Sequence, residues 1–242
     1  MITAAAFVPS TPLLVPEAGS GAASELDTVR KASLQALDAA LSTGPARVVV
    51  LGTSSRVIGT PAPHGTATYA VGTGTLRGFG VDLDVALGPA SSSDQRLSLS
   101  STIGAWLLAQ RGWAGERLAV ELDPASDDAS LDDCGRALAD DDDVATALVV
   151  VADGSAARTE RAPASLHPQA AAFDAAVAAA LRSGKPDELA ALDASLAAEV
   201  AAGGRPAWRA AAAALQGTAY DADLLADEAP YGVGYLVARW LR

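Results

Sequence analysis

Short apolar runs rich in Val, Ile and Leu alternate with longer stretches in which apolar residues recur every three or four positions, and this alternation predicts an α/β fold. Ile2–Val8 is an apolar run of strand length. Arg47–Gly52 and Thr146–Ala152 are more uniformly apolar, as expected of strands that helices cover on both faces at the middle of a sheet. Ala67–Gly72, Val81–Ala86 and Arg117–Leu122 are weaker strand candidates. Helical spacing places Leu26, Val29, Leu37 and Leu41 on one face of a segment that Ser20 or Ser24 can cap. Further helices are expected over Leu99–Gln110, Asp132–Ala139, Pro168–Arg182, Asp187–Ala202 and Pro206–Gln216, with Gly203-Gly204 separating the last two. Tyr231–Leu241 is expected to close the chain as a helix behind the turn Glu228-Ala229-Pro230. No low-complexity linker or internal repeat divides the sequence. Residues 1–242 are therefore expected to form a single domain with a central, mostly parallel or mixed sheet flanked by helices.

Composition narrows the function classes. A net charge of −12 would repel a phosphate backbone, and 5% aromatic residues are too few for base-stacking platforms, so nucleic acid is not an expected partner. No apolar stretch reaches the roughly 20 residues that span a bilayer, and the N-terminal Met1–Phe7 lacks a basic region. These features predict a cytoplasmic protein without a membrane partner. A lone Cys134 excludes an intramolecular disulfide and a thiolate zinc cluster, and its neighbours Asp132 and Asp133 disfavour a thiolate. It reads as a structural cysteine. A homodimer is an ordinary expectation for such a chain, although no exposed apolar seam demands one.

Several motifs yield to plainer explanations. Gly72-Thr73-Gly74-Thr75-Leu76-Arg77-Gly78 nearly spells a dinucleotide-binding turn, but its last glycine comes one position late, and a hairpin or loop is expected instead. Ser54 and Ser55 follow a strand but are not in the Gly-x-Ser-x-Gly setting of a nucleophile elbow. Asp140–Asp143 reads as a solvated loop, because adjacent carboxylates cannot all face one cation. The opening segment is more informative. Pro9 and Pro12 stiffen the loop that follows the first strand, and Glu17 stands close behind. In open α/β sheets, sites form at the carboxyl ends of the strands. If the strands run parallel, the loops after Val8, Leu51 and Ala152 meet at that edge.

Six segments carry a resemblance, in order along the chain. Val8-Pro9-Ser10-Thr11-Pro12-Leu13-Leu14-Val15-Pro16-Glu17 resembles the N-terminal Pro-His-x-Pro-Leu-Leu-Val-Pro-Glu motif of the class III extradiol ring-cleavage dioxygenases of LigB type. Val48–Leu51 with Gly52-Thr53-Ser54 resembles that family's apolar strand ending in Ser-Pro-His. Leu76-Arg77-Gly78-Phe79-Gly80 is similar in part to its Phe-x-x-Phe-Gly stretch. Val150-Val151-Ala152-Asp153-Gly154-Ser155-Ala156 is similar to its Ser-Ser-Asp-Leu-Ser-His, and Phe173-Asp174 falls where it has a Phe-Asp pair. Glu228-Ala229-Pro230-Tyr231-Gly232-Val233-Gly234-Tyr235 resembles its Glu-x-Pro-Phe-Gly-Val-Gly-Tyr.

The resemblance implies an α/β scaffold for Fe(II)-dependent cleavage of catechol rings, with two histidines and a glutamate on the iron and a further histidine as acid/base. This chain departs from that pattern at three of those four positions. Ser10 stands at the first ligand histidine, Ser54 or Ser55 at the second, and Ala156 at the acid/base position, while Glu228 matches the ligand glutamate. Serine hydroxyls are poor ferrous ligands and alanine carries no proton. A divergent member with a lost or remodelled iron site is expected, keeping a pocket built from Ser10, Ser54, Asp153, Ser155 and Glu228 for a small aromatic or anionic ligand. Arg56, Arg158 and Arg161 lie in the site loops and would meet an anion, although each also reads as a surface charge. One alternative is an active metal enzyme with ligands drawn from Glu17, His64, Asp153 and Glu228, an oxygen-rich set that favours Mg²⁺ or Mn²⁺. Another is an interaction or scaffold protein with a vestigial pocket. His167, before Pro168, reads as a capping or surface residue.

Overall fold

The computed structural model describes residues 1–18, 23–54, 60–61, 67–88, 95–140 and 143–242. The strands are β1 (Ile2–Val8), β2 (Arg47–Thr53), β3 (Thr60–Pro61), β4 (Ala67–Ala70), β5 (Gly72–Thr75), β6 (Asp84–Leu87), β7 (Glu116–Leu122), β8 (Thr146–Val151), β9 (Asp221–Glu228) and β10 (Tyr235–Leu241). The helices are α1 (Asp27–Leu41), α2 (Leu99–Gln110), α3 (Asp128–Ala139), α4 (Ala170–Ser183), α5 (Pro186–Ala190), α6 (Ala194–Glu199) and α7 (Arg205–Ala214). Eight strands form one mixed sheet in the order β3-β4-β7-β2-β8-β1-β10-β9, and β5 and β6 form a separate hairpin. The fold is α/β.

The four central strands, β7, β2, β8 and β1, are parallel and in register, so that Val120, Leu51, Val150 and Phe7 lie in one row across the sheet. All four point to the face covered by α3, α4, α5 and α7. The next row, Glu121, Gly52, Val151 and Val8, points to the face covered by α1 and α2. Because successive residues face opposite layers, both must be apolar, which is why these strands read as unbroken Val/Leu/Ala runs. The shared register also ends the four strands together at one edge of the sheet.

The apolar run Tyr231–Leu241, expected as a helix, is strand β10 from Tyr235 onward. It pairs antiparallel with β1 on one side and with β9 on the other. Trp240 explains the choice: its ring meets Phe7 edge-on at 5.0 Å and stacks on Tyr220 at 5.7 Å, and its indole N–H donates to the Leu181 carbonyl at 2.7 Å. A helix could not bring one residue onto β1 and α4 together while holding the ladder. Strand β9 carries no apolar run of its own. It is an edge strand whose Asp221 and Asp223 pair with Arg239, and such charges keep a free edge from pairing with other chains.

Smaller departures have local causes. The helix expected over Asp187–Ala202 is split into α5 and α6, because the Asp193 carboxylate accepts the Ser195 and Leu196 amides and starts a new helix. Ser24 does not cap α1, which begins after a 3₁₀ turn over Ala23–Leu26 with no side-chain cap, and Ser20 lies outside the described residues. The helix expected from Asp132 starts at Asp128, capped by Asp127. Gly72 and Gly74 belong to the β5–β6 hairpin, where a Cβ would strike Gln95 and Thr102, so close packing accounts for the Gly-x-Gly pattern. Cys134 is buried in the α3–α7 layer, and desolvation pushes its thiol up to about 11.

Candidate functional site

The loops after β1 and β8 and the last residue of β2 border a cavity of about 350 Å³ at the carboxyl edge of the sheet. Ser10, Thr53, Asp153 and Ala156 line it, with Leu99 at the start of α2, Tyr235 at the start of β10, and Ala201 and Gly203 from the turn after α6. Tyr235 enters because β10 runs against β1 and begins where β1 ends.

Asp153 is the carboxylate of this cavity. It accepts a 2.8 Å hydrogen bond from the Ser10 amide, which ties the β1 and β8 loops together. Desolvation by the surrounding protein raises its pKa to about 7, and the Ser10 hydrogen bond acts against that rise. Desolvation also raises the Tyr235 phenol, with the Asp153 carboxylate adding to the effect and a hydrogen bond with Thr11 opposing it. The cavity thus holds a carboxyl group that exchanges its proton near neutrality, beside a phenol that keeps its own.

The serine expected in place of the first histidine is committed to the protein. Ser10 Oγ lies 3.0 Å from Ser100 Oγ, and the Ser100 hydroxyl donates to the Thr53 carbonyl at 3.1 Å. Ser100 reaches this point because α2 packs directly on Gly52, where a side chain would collide with Ser100 Cβ. Beneath it, Glu121 is buried, and its Oε1 accepts from the Ser98 amide at 2.7 Å and the Ser101 hydroxyl at 2.6 Å. A net of hydroxyls therefore fills the space between β1, β2 and α2.

The other residues expected at the site are distributed differently. Ser54 is buried and its amide donates to the Leu122 carbonyl, but Thr53 rather than Ser54 lines the cavity. Ser155 is fully buried behind it. Its amide and hydroxyl donate to the Asp174 carboxylate at 2.7 and 2.8 Å, and Arg158 faces the same carboxylate at 3.5 Å. Glu228 ends β9 opposite Tyr235, with β10 between it and β1, and does not line the cavity. Glu17 is exposed in a 3₁₀ turn, and Arg161 is exposed as well. Ser55, Arg56 and His64 lie outside the described residues, as do Asp141 and Asp142. His167 sits before α4, where Nδ1 accepts from the Gln169 amide at 3.3 Å.

These positions do not fit a ferrous iron. Of the described residues at the positions that resemble the family's iron ligands and acid/base, only Ser10 and Ala156 line the cavity; the Ser10 hydroxyl is tied to Ser100, and the Ala156 side chain has no donor atom. Among the described residues, no group of three or more His, Cys, Asp or Glu is placed to hold a metal. Sequence reading missed Tyr235, Ser100 and the Ala201–Gly203 turn. Of these, Tyr235 was the most accessible, since it opens the run whose strand character follows from its Val, Tyr and Trp content.

No helix among the described residues is long and apolar enough to cross a membrane. No protein-family model matches the chain, and no curated protein matches it. Solved structures do: 18 chains are similar. Among them is the crystal structure of uncharacterized protein JW3007 from Escherichia coli K12, which is similar over 99% of this chain and 100% of that one, with a TM-score of 0.52 at 15% identity. That likeness is one of fold.

Proposed function

We propose that this chain binds a small uncharged molecule bearing a hydroxyl group in the sheet-edge cavity, on a divergent scaffold of the LigB-type extradiol dioxygenases that has lost its iron chemistry. The six ordered sequence segments support the scaffold. The loss of iron chemistry is supported by the fate of two histidine positions at the cavity, which now hold the Ser10 hydroxyl, bonded to Ser100, and the Ala156 methyl group.

One observation carries the binding role. Asp153 lines the cavity with a single hydrogen bond among the described residues, from the Ser10 amide, so it retains acceptor capacity toward a ligand. Leu99, Val233 and Pro163 supply apolar walls around it. Shape and a convergent polar group are what small-molecule sites share. No Lys or Arg lines the cavity among the described residues, and Arg158 is held by Asp174, so an uncharged aromatic ligand suits the lining better than an anion.

Calorimetric titration with phenol, with and without a chelator, tests this reading. Binding that survives chelation and weakens at least tenfold in Asp153→Ala is expected. Stoichiometric Fe(II) uptake with oxygen consumption on addition of catechol would overturn it, and so would failure of any phenol to bind.

A further inference from the structure

A second and larger cavity, of about 620 Å³, adjoins the first. It lies between the loop after β7, helix α6 and the start of α7, and Pro124, Ala194, Ala197, Ala198 and Pro206 form its walls. Its charged groups are the Asp128–Arg205 pair and the exposed Asp127. Asp128 receives two hydrogen bonds from Arg205, at 2.5 and 2.7 Å, and Arg205 Nε donates to the Leu192 carbonyl at 3.0 Å. The Asp127 carboxylate caps α3 through the Ser130 amide at 2.8 Å. Among the described residues this cavity is mainly apolar contact area, its carboxylates being Asp128, paired with Arg205, and Asp127, a solvent-exposed helix cap.

The two cavities share two lining residues, Ala201 and Gly203, which belong to one turn. That turn is fixed from the first cavity's side. The Gly203 carbonyl accepts from the Thr53 hydroxyl at 3.2 Å, and the Gly204 amide donates to the Asp153 carbonyl at 3.1 Å. Gly204 allows this approach because a Cβ there would collide with the Asp153 backbone. The small cavity has the polar anchor and little volume. The large one has volume and a mostly apolar lining, with its carboxylates held by Arg205 or at the exposed cap of α3. Each supplies what the other lacks.

We infer that a single amphiphilic ligand occupies both cavities: its hydroxyl-bearing head lies at Asp153, and its apolar tail crosses the Ala201–Gly203 turn onto the alanine face of α6. This rests on the binding role proposed above and adds the ligand's shape. A ligand confined to the small cavity would leave the adjoining apolar wall in water, and covering that wall is favourable.

A series of 4-alkylphenols, from phenol to 4-octylphenol, titrated into the whole protein, tests the inference. Affinity is expected to rise about two- to fourfold per methylene until the larger cavity is full. Ala198→Trp, at an exposed position on α6 that lines only the larger cavity, should abolish the gain with tail length while leaving phenol binding unchanged. Asp153→Asn should weaken every member by a similar factor. If phenol binds but affinity is flat along the series, or if the gain survives Ala198→Trp, the shared-ligand inference is wrong and the small-cavity reading stands. If neither phenol nor any homologue binds, both fall.

Discussion

Two aspartates meet at the loop after β8 and have been put to opposite uses. Asp174 is 1% exposed and is surrounded by donors: the Ser155 amide, the Ser155 hydroxyl and the Arg158 guanidinium. Gly154 and Gly234 pass so close to it that a Cβ on either would collide with its carboxylate oxygens. Asp153 has one donor, the Ser10 amide, and borders a cavity. Both carboxyls are pushed up by desolvation, Asp153 to about 7, while Asp174 has two Ser155 hydrogen bonds and Arg158 pulling it back. What separates the structural carboxylate from the available one is the number of donors supplied, together with the partial exposure that Asp153 keeps and Asp174 lacks.

The largest effect should come from removing the satisfied group. Asp174→Ala strands the buried Ser155 amide and hydroxyl and removes the partner of the half-buried Arg158. A loss of about 3 kcal/mol in unfolding free energy is expected, read by denaturant unfolding. Asp153→Ala should cost well under half as much, since it leaves one amide beside a cavity that water can enter. Equal losses would show that the contrast between the two aspartates is not real.

Titration sharpens the contrast. A folded-state pKa near 7, against about 4 in the unfolded chain, means that the native protein holds a proton which the unfolded chain has released. Stability attributable to Asp153 is therefore present below about pH 4 and is lost as pH rises to about 7. Asp174 contributes in the same direction. Asp153→Asn imitates the protonated form and keeps an oxygen for the Ser10 amide. It should flatten the stability profile between about pH 4 and 7, and at pH 8 it should exceed the wild type by on the order of 1–3 kcal/mol. A variant no more stable than wild type at pH 8 would place Asp153 in water.

The contrast was only partly legible in the sequence. β1, β2 and β8 were readable because a strand buried on both faces admits little but Val, Leu and Ala; the convergence of their loops followed from the strand ends, and Ser10, Asp153 and Ala156 were picked out within them by the resemblance to the LigB-type motifs. Helix α2 hid its contribution. It is buried almost all round, between β2 and the β5–β6 hairpin, so no polar face marks Ser100 as the partner of Ser10. Glu228 follows a short turn away from Tyr235 in sequence, and the insertion of β10 between β9 and β1 is what moves it off the cavity. That insertion depends on Trp240 finding Phe7, a contact between the two ends of the chain that no local pattern announces.

The turn that divides the two cavities gives the smallest expected effect and the most local one. Helix α6 ends in a Schellman motif: the Ala202 amide bonds back to the Ala197 carbonyl at 2.8 Å, and the Ala201 amide to the Ala198 carbonyl at 3.1 Å. The residue that donates the inner bond must be left-handed, and here it is Ala201, at φ 54°, although glycines stand two and three positions later. Gly204 is not free to take that place, because the approach of the Asp153 backbone already requires a glycine there. An alanine Cβ in the left-handed region costs about 1 kcal/mol, partly offset in a glycine by its looser unfolded chain. Ala201→Gly should thus raise stability by roughly 0.5–1 kcal/mol, measured by thermal unfolding, without changing its dependence on pH. If the pH profile shifts as well, the turn sets the environment of Asp153, and the availability of that carboxylate is a property of the α6 cap as much as of its missing donors.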